Sequence, residues 1–269
     1  MRCFCLILAV LFAGLSGPAL AGERVVCTIA QEVGRSGSVL REGRCDDRMS
    51  PASTFKVAIS LMGFDSGILI SPDRPEMPFR TGYADWNPKW RRPTTPESWM
   101  RDSVVWYSQR ITEKLGAARF KAYVDAFDYG NRDVSGDRGE KNGLTRAWLS
   151  SSLQISPVEQ VAFLTRMIRG ELPVSAAAVT ETAILMDNGV QGGWHVHGKT
   201  GAGRPVGPDG ALLKGQPFGW YVGWAEKADR RVVFARLVRF DAPPADSPGA
   251  IARAGLKAAL FGPGGALGE

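Results

Sequence analysis

The strand-like runs of this chain sit at its two ends, and that placement limits the fold more than any other feature. Residues 24–30 (RVVCTIA) and 37–41 (GSVLR) read as a hairpin turning at Gly34-Arg35-Ser36-Gly37. Residues 194–200 (WHVHGKT), 217–225 (PFGWYVGWA) and 231–239 (RVVFARLVR) read as three further strands. The middle is helical in pattern over 53–63, 99–115, 117–127 and 175–186. A further helix starts at Ser156-Pro157-Val158-Glu159, where Ser caps, Pro takes the first position and Glu reaches back. Residues 71–98 hold six Pro and isolated aromatics and read as loop. Ser247-Pro248 opens a last helix that ends at Gly262-Pro263-Gly264. Short end strands bury an apolar face only by joining across the middle. The expected fold is therefore α+β: one antiparallel sheet, with a helical lobe inserted between its halves and a cleft at the seam.

The first 21 residues read as a signal peptide rather than as structure. Arg2 is the charged start, 3–15 (CFCLILAVLFAGL) the apolar run, and Ala19-Leu20-Ala21 the small-residue cleavage site. The run is too short to cross a bilayer, and no later stretch is long enough. The expectation is a chain cleaved near Ala21, exported to the periplasm and free of the membrane. The remaining residues 22–269 are expected to form one catalytic unit, with a sheet lobe of 22–50 and 190–262 and a helical lobe of 51–189. Export changes how the cysteines read. Cys3 and Cys5 leave with the signal, and Cys27 and Cys45 stay as a pair in an oxidising compartment beside two extended segments. A disulfide fits them; two separate buried thiols are the alternative. The chain is 44% hydrophobic, which excludes a disordered protein. Its net charge of +6 is spread along the sequence, so no nucleic-acid partner is expected.

Four short elements carry possible chemistry. Ser53-Thr54-Phe55-Lys56 puts a hydroxyl and an amine three apart on one helix face. Serine is a weak nucleophile until a base takes its proton, and burial is what makes a lysine basic in this sense. Lys199-Thr200-Gly201 ends a strand, where Lys and Thr can hold a carboxylate and Gly lets a substrate approach. Ser103-Val104-Val105 offers a hydroxyl among apolar neighbours, and Tyr129-Gly130-Asn131 reads as a turn. Singly, each has an ordinary structural reading: a capping serine, a strand exit, a helix serine bonded to its own backbone, a loop.

Their joint order, S-x-x-K, S-x-V, Y-G-N, K-T-G, resembles that of the penicillin-recognising serine enzymes and, within them, the class D (oxacillinase-type) β-lactamases. Trp148-Leu149 ahead of Ile155-Ser156-Pro157-Val158-Glu159-Gln160, and Gly219-Trp220-Tyr221-Val222-Gly223-Trp224 after K-T-G, extend the resemblance over roughly 25–260. Class A relatives carry S-D-N where this chain has Ser103-Val104-Val105. The resemblance implies an antiparallel sheet flanked by N- and C-terminal helices and packed against a helical lobe. It implies acyl transfer from a β-lactam to Ser53, then hydrolysis. It makes Lys56 an N6-carboxylysine formed with CO2, needing no other cofactor and no metal, and acting as general base. It makes Trp148 the donor that holds the carbamate, and Ser103 the proton route to the leaving nitrogen. Lys199, Thr200 and Gly201 become substrate-binding residues, with Ala202 and Ser53 supplying oxyanion-hole N–H groups. Many members of this family clamp the substrate carboxylate with an Arg near the last strand, and no single Arg of this chain takes that place from the sequence. Arg204 and Arg253 both fit by position, and Arg236 or Arg239 would have to point into the cleft.

Other functions fit less well. His195-Val196-His197 places two rings on one strand face, but these are the only two His of the chain. A penicillin sensor acylates without turnover and normally follows membrane helices. A peptidoglycan transpeptidase usually carries an anchor or an added domain.

Overall fold

A computed structural model describes residues 22–207 and 210–268. Six antiparallel strands form one sheet: β1 (Glu23–Glu32), β2 (Leu40–Gly43), β3 (Asp187–Gln191), β4 (Trp194–Gly203), β5 (Phe218–Lys227) and β6 (Arg230–Phe240). Their order across the sheet is β2-β1-β6-β5-β4-β3, so the N-terminal hairpin joins the C-terminal strands through β1 and β6. The helices are α1 (Lys56–Asp65), α2 (Pro96–Asp102), α3 (Val105–Leu115), α4 (Ala117–Ala126), α5 (Gly143–Arg146), α6 (Pro157–Ile168), α7 (Ala176–Leu185) and α8 (Pro248–Phe261).

Alternation along β6 explains the layers. Val233, Ala235 and Leu237 point into a large core shared with α1, α3 and α6. Val232, Phe234 and Val238 point the other way, onto Ala252, Leu256 and Leu260 of α8. α8 thus flanks the sheet as expected, but β1 begins at Glu23 and no N-terminal helix precedes it among the described residues; the signal peptide expected over 1–21 lies outside them. Cys27 and Cys45 form a disulfide that ties β1 to the segment leading into the helical lobe.

Several local expectations needed correction. Residues 37–41 were expected as a strand, but the pairing occupies Leu40–Gly43, because Gly37 takes φ 86° within the turn. The single helix expected over 99–115 is two, since Ser103 adopts left-handed φ 57° between α2 and α3. The helix expected from 53 begins as a 3-10 turn over Ala52–Phe55. β3 and α5 have no counterpart in the sequence reading, and β3 starts at Asp187, ahead of the expected lobe boundary at 190. Ser156 makes the expected capping box with Glu159, whereas Ser247 caps α8 by position without a side-chain bond.

Candidate active site

The Ser53 turn is held by bonds that no local pattern announces. Ser50 is buried; its hydroxyl donates to Trp148 O at 2.8 Å and accepts Ser150 N–H at 2.9 Å. Trp220 Nε1 donates to Ser50 O at 3.0 Å, which anchors the turn to β5. Thr54 Oγ1 donates to Pro51 O and accepts from Gln160 Nε2 of α6. Just before the serine, Ala52 has φ 48°, a left-handed backbone of order 1 kcal/mol or more above the relaxed one. Pinned in this way, Ser53 stays half-buried in the 3-10 turn ahead of α1 while its neighbours Thr54, Phe55 and Lys56 are buried.

Lys56 is fully buried. Its Nζ lies 2.8 Å from Ser108 Oγ and 3.1 Å from Val104 O, and 5.7 Å from the centre of the Trp99 ring. Ser108 Oγ also accepts Trp99 Nε1 at 2.8 Å. No carboxylate is among these partners, so burial, and after it the charge of Lys199, holds the Lys56 amine well below its ordinary value of 10.5. Two acceptors match the two N–H groups of a neutral amine and leave its lone pair free. Trp148 is also fully buried, packed on Phe55 at 5.6 Å and Phe120 at 6.3 Å, and among the described residues its Nε1–H meets no acceptor. A buried unpaired donor costs about 1–3 kcal/mol, and this one calls for an acceptor that the described side chains do not supply.

The opposite wall is β4. β3 pairs with it only as far as His197, so the stretch from Lys199 to Gly203 keeps an edge free of a third strand. Gly201 brings that edge against the serine turn: a Cβ there would lie 3.0 Å from Pro51 O and 3.2 Å from Thr54 N. Lys199, nearly fully buried, donates to Ser103 Oγ at 2.6 Å and to Thr200 O at 3.1 Å. The left-handed Ser103 is what turns its hydroxyl toward β4. Burial first, and the Arg253 guanidinium second, lower Lys199 to about 7.

Two hollows flank this edge. One, of about 780 Å³, is lined by Lys199, Thr200, Tyr221, Arg253 and Lys257. The other, of about 470 Å³, is lined by Ala52, Ala202, Leu149, Trp86 and Arg204. Of the four candidate arginines, only Arg253 shares a hollow with Lys199 and Thr200. Arg236 points to the α8 face and donates to Thr28 Oγ1, and Arg239 donates to Gln216 on the surface. Tyr129 of the Y-G-N turn is buried 5.0 Å from Phe55. The two histidines lie apart from this chemistry: His195 pairs with Asp187, and His197 stacks on Trp224. Ser108 and Ser50 are the site-building residues that the sequence reading lacked. Neither sits in a recognisable motif, and their partners lie 52 and 98 residues away.

A family model for the penicillin binding protein transpeptidase domain matches residues 23–259. Beta-lactamase OXA-9 of Klebsiella pneumoniae is 47% identical over 220 residues, covering 80% of this chain and 79% of that one. The chain belongs to the class D β-lactamases. Beta-lactamase OXA-1 of Escherichia coli is 45% identical over 171 residues, 60% of this chain and 58% of that one. The crystal structure of the class D β-lactamase OXA-427 superposes with a TM-score of 0.83 at 47% identity, covering 87% of this chain and 96% of that one. As a class D β-lactamase, the protein is a serine hydrolase acting on the β-lactam amide, and the fold expected from the strand placement is the fold of its family.

Proposed function

We propose that this β-lactamase works through an acyl-enzyme at Ser53, with Lys56 carbamylated, and confers resistance from the periplasm. The observation that carries the reading is the pair formed by a buried, carboxylate-free Lys56 and the unpartnered Trp148 Nε1–H. Only a neutral amine adds CO2, and burial favours that form. A carbamate on Lys56 would supply an anionic base for the serine proton and later for the attacking water, with Trp148 and Ser108 as the residues to hold it. Ser53 Oγ attacks the lactam carbonyl carbon, and backbone N–H groups of Ser53 and Ala202 stabilise the oxyanion. As the C–N bond breaks, Ser103 passes a proton to the leaving nitrogen; its 2.6 Å contact with Lys199 Nζ gives it a source to refill from. Lys199, Thr200 and Arg253 hold the substrate carboxylate, and Gly201 keeps the β4 edge close to the serine. Water then cleaves the ester and frees the penicilloate.

Export by residues 1–21 accords with the Cys27–Cys45 disulfide, because such bonds persist in oxidising compartments. In this reading, residues 22–269 form the one catalytic unit. The test is penicillin hydrolysis by residues 22–269, followed by ultraviolet absorbance with and without bicarbonate, beside Lys56→Ala. Sustained turnover that rises with bicarbonate and is lost in the variant is the expected result. A single stoichiometric burst, with drug left on Ser53 of the unmodified sequence, would assign the protein to the penicillin sensors or transpeptidases instead.

A further inference from the structure

The hollow beside Lys199 carries more positive charge than one substrate carboxylate can balance. Its acidic side chains are turned to other partners: Glu97 to Arg101 at 3.4 Å, and Asp187 to His195 at 2.8 Å and to Gly189 N–H at 2.7 Å. Arg253 and Lys257 remain, and Lys199 adds a third positive charge below about 7. Among the described residues, no carboxylate lies within ion-pair distance of any of them. Like charges four apart on a helix destabilise it, so Arg253 and Lys257 on α8 stand together at a cost. Lys257 is half-buried, and burial together with Arg253 lowers its amine from the ordinary value.

The positions form a line. α8 begins against the K-T-G edge, where a Cβ on Gly249 would lie 2.8 Å from Gly201 O and 3.2 Å from Thr200 Cβ. It then runs antiparallel to β4, ending where a Cβ on Gly192 would lie 3.2 Å from Phe261 Cβ. Arg253 comes one turn after Gly249, and Lys257 one turn later, about 6 Å further along the axis. One hollow continues from Lys199 and Thr200 past Arg253 to Lys257, so a group attached beside a carboxylate held at Thr200 has open space toward Lys257.

We infer that Lys257 is a specificity-determining residue, forming with Arg253 a second anion subsite for cephalosporins whose 3-substituent carries a carboxylate or sulfonate in addition to the ring carboxylate. The inference rests on the carboxylate-binding reading of Lys199 and Arg253. In this arrangement Arg253 lies between the two anions, and Lys257 touches only the second.

The experiment compares two cephalosporins with the same acyl side chain, one with a neutral 3-substituent and one with a sulfonate there. KM and kcat are measured for the unmodified enzyme, Lys257→Gln, Lys257→Arg and Arg253→Ala. The readout is the ratio of the two KM values, which cancels any general change in folding or active fraction. The expected result is a ratio raised about fivefold toward poorer dianion binding in K257Q, the size of one half-exposed ion pair, with the kcat ratio unmoved. K257R restores the ratio, and added salt raises KM more steeply for the dianion. An unchanged KM ratio in K257Q, with the usual loss in R253A for the neutral cephalosporin, overturns the inference alone. An R253A enzyme with unaltered KM for the neutral cephalosporin overturns the carboxylate reading and the inference with it.

Discussion

Trp148→Phe separates the packing role of this ring from the role of its N–H. The substitution keeps an aromatic face on Phe55 and Phe120 and deletes the donor. Without CO2 the unmodified protein buries Nε1–H with no acceptor, a cost of about 1–3 kcal/mol. With Lys56 carbamylated, the same N–H donates to an anion, which contributes about 1.5–3 kcal/mol. The smaller ring also leaves a void, but that void is present with and without CO2 and cancels when the two conditions are compared within one protein. The unmodified enzyme is therefore expected to gain stability on going from CO2-depleted buffer to saturating bicarbonate. The variant is expected to gain less by about 1.5–3 kcal/mol, and to need roughly ten- to hundredfold more bicarbonate for half-maximal activity. Denaturant unfolding at fixed pH in both buffers, with slopes compared, supplies the first number; kcat against bicarbonate supplies the second. Equal bicarbonate increments in the two proteins would refute the assignment of Trp148 as the donor, and leave its orphaned N–H a folding defect only.

Two further outcomes follow from charge and connectivity. Lys199 is cationic below about 7 and neutral above it, so kcat/KM for a penicillin falls as pH rises through that region. Because Arg253 is the lesser of the two causes of the depression, Arg253→Ala moves this limb to the alkaline side by less than half of the gap between about 7 and 10.5; a pH series on both enzymes checks it, and an unmoved or acid-shifted limb contradicts it. The Cys27–Cys45 disulfide spans 18 residues, and chain entropy gives it about 3 kcal/mol. Cys27→Ser with Cys45→Ser is expected to lower the unfolding free energy by that amount, seen in urea as a lower midpoint with nearly the same slope, and an unchanged midpoint contradicts it.

What could be read from the sequence was what a motif or a strong period encodes. Ser53, Lys56 and the 199–201 edge were legible as candidates through the joint order of four short motifs and the family resemblance that order carries, since each spacing alone has an ordinary structural reading. β4, β5 and β6 were legible because apolar and aromatic residues run through them. β3 (DNGVQ) was not, being polar, glycine-bearing and exposed, and held only by pairing with β4. The break at Ser103 was hidden because both flanks carry helical patterns, and its left-handed backbone is selected by the tertiary contact with Lys199. Ser108 was illegible because its value lies in accepting from Lys56 and Trp99 together. Arg253 could be chosen over Arg236 only once β6 had a register. Alternation places Arg236 with Val232, Phe234 and Val238 on the α8 side of the sheet, away from the serine.

The central claim is that Lys56 carries CO2 when the enzyme turns over. The direct measurement is carbon-13 NMR of the enzyme in labelled bicarbonate, titrated alongside penicillin hydrolysis. One protein-bound carbamate resonance is expected, absent in Lys56→Ala, whose intensity rises and falls in proportion to activity. Full activity in CO2-depleted buffer with no such resonance would contradict it and leave the bare amine of Lys56 as the base.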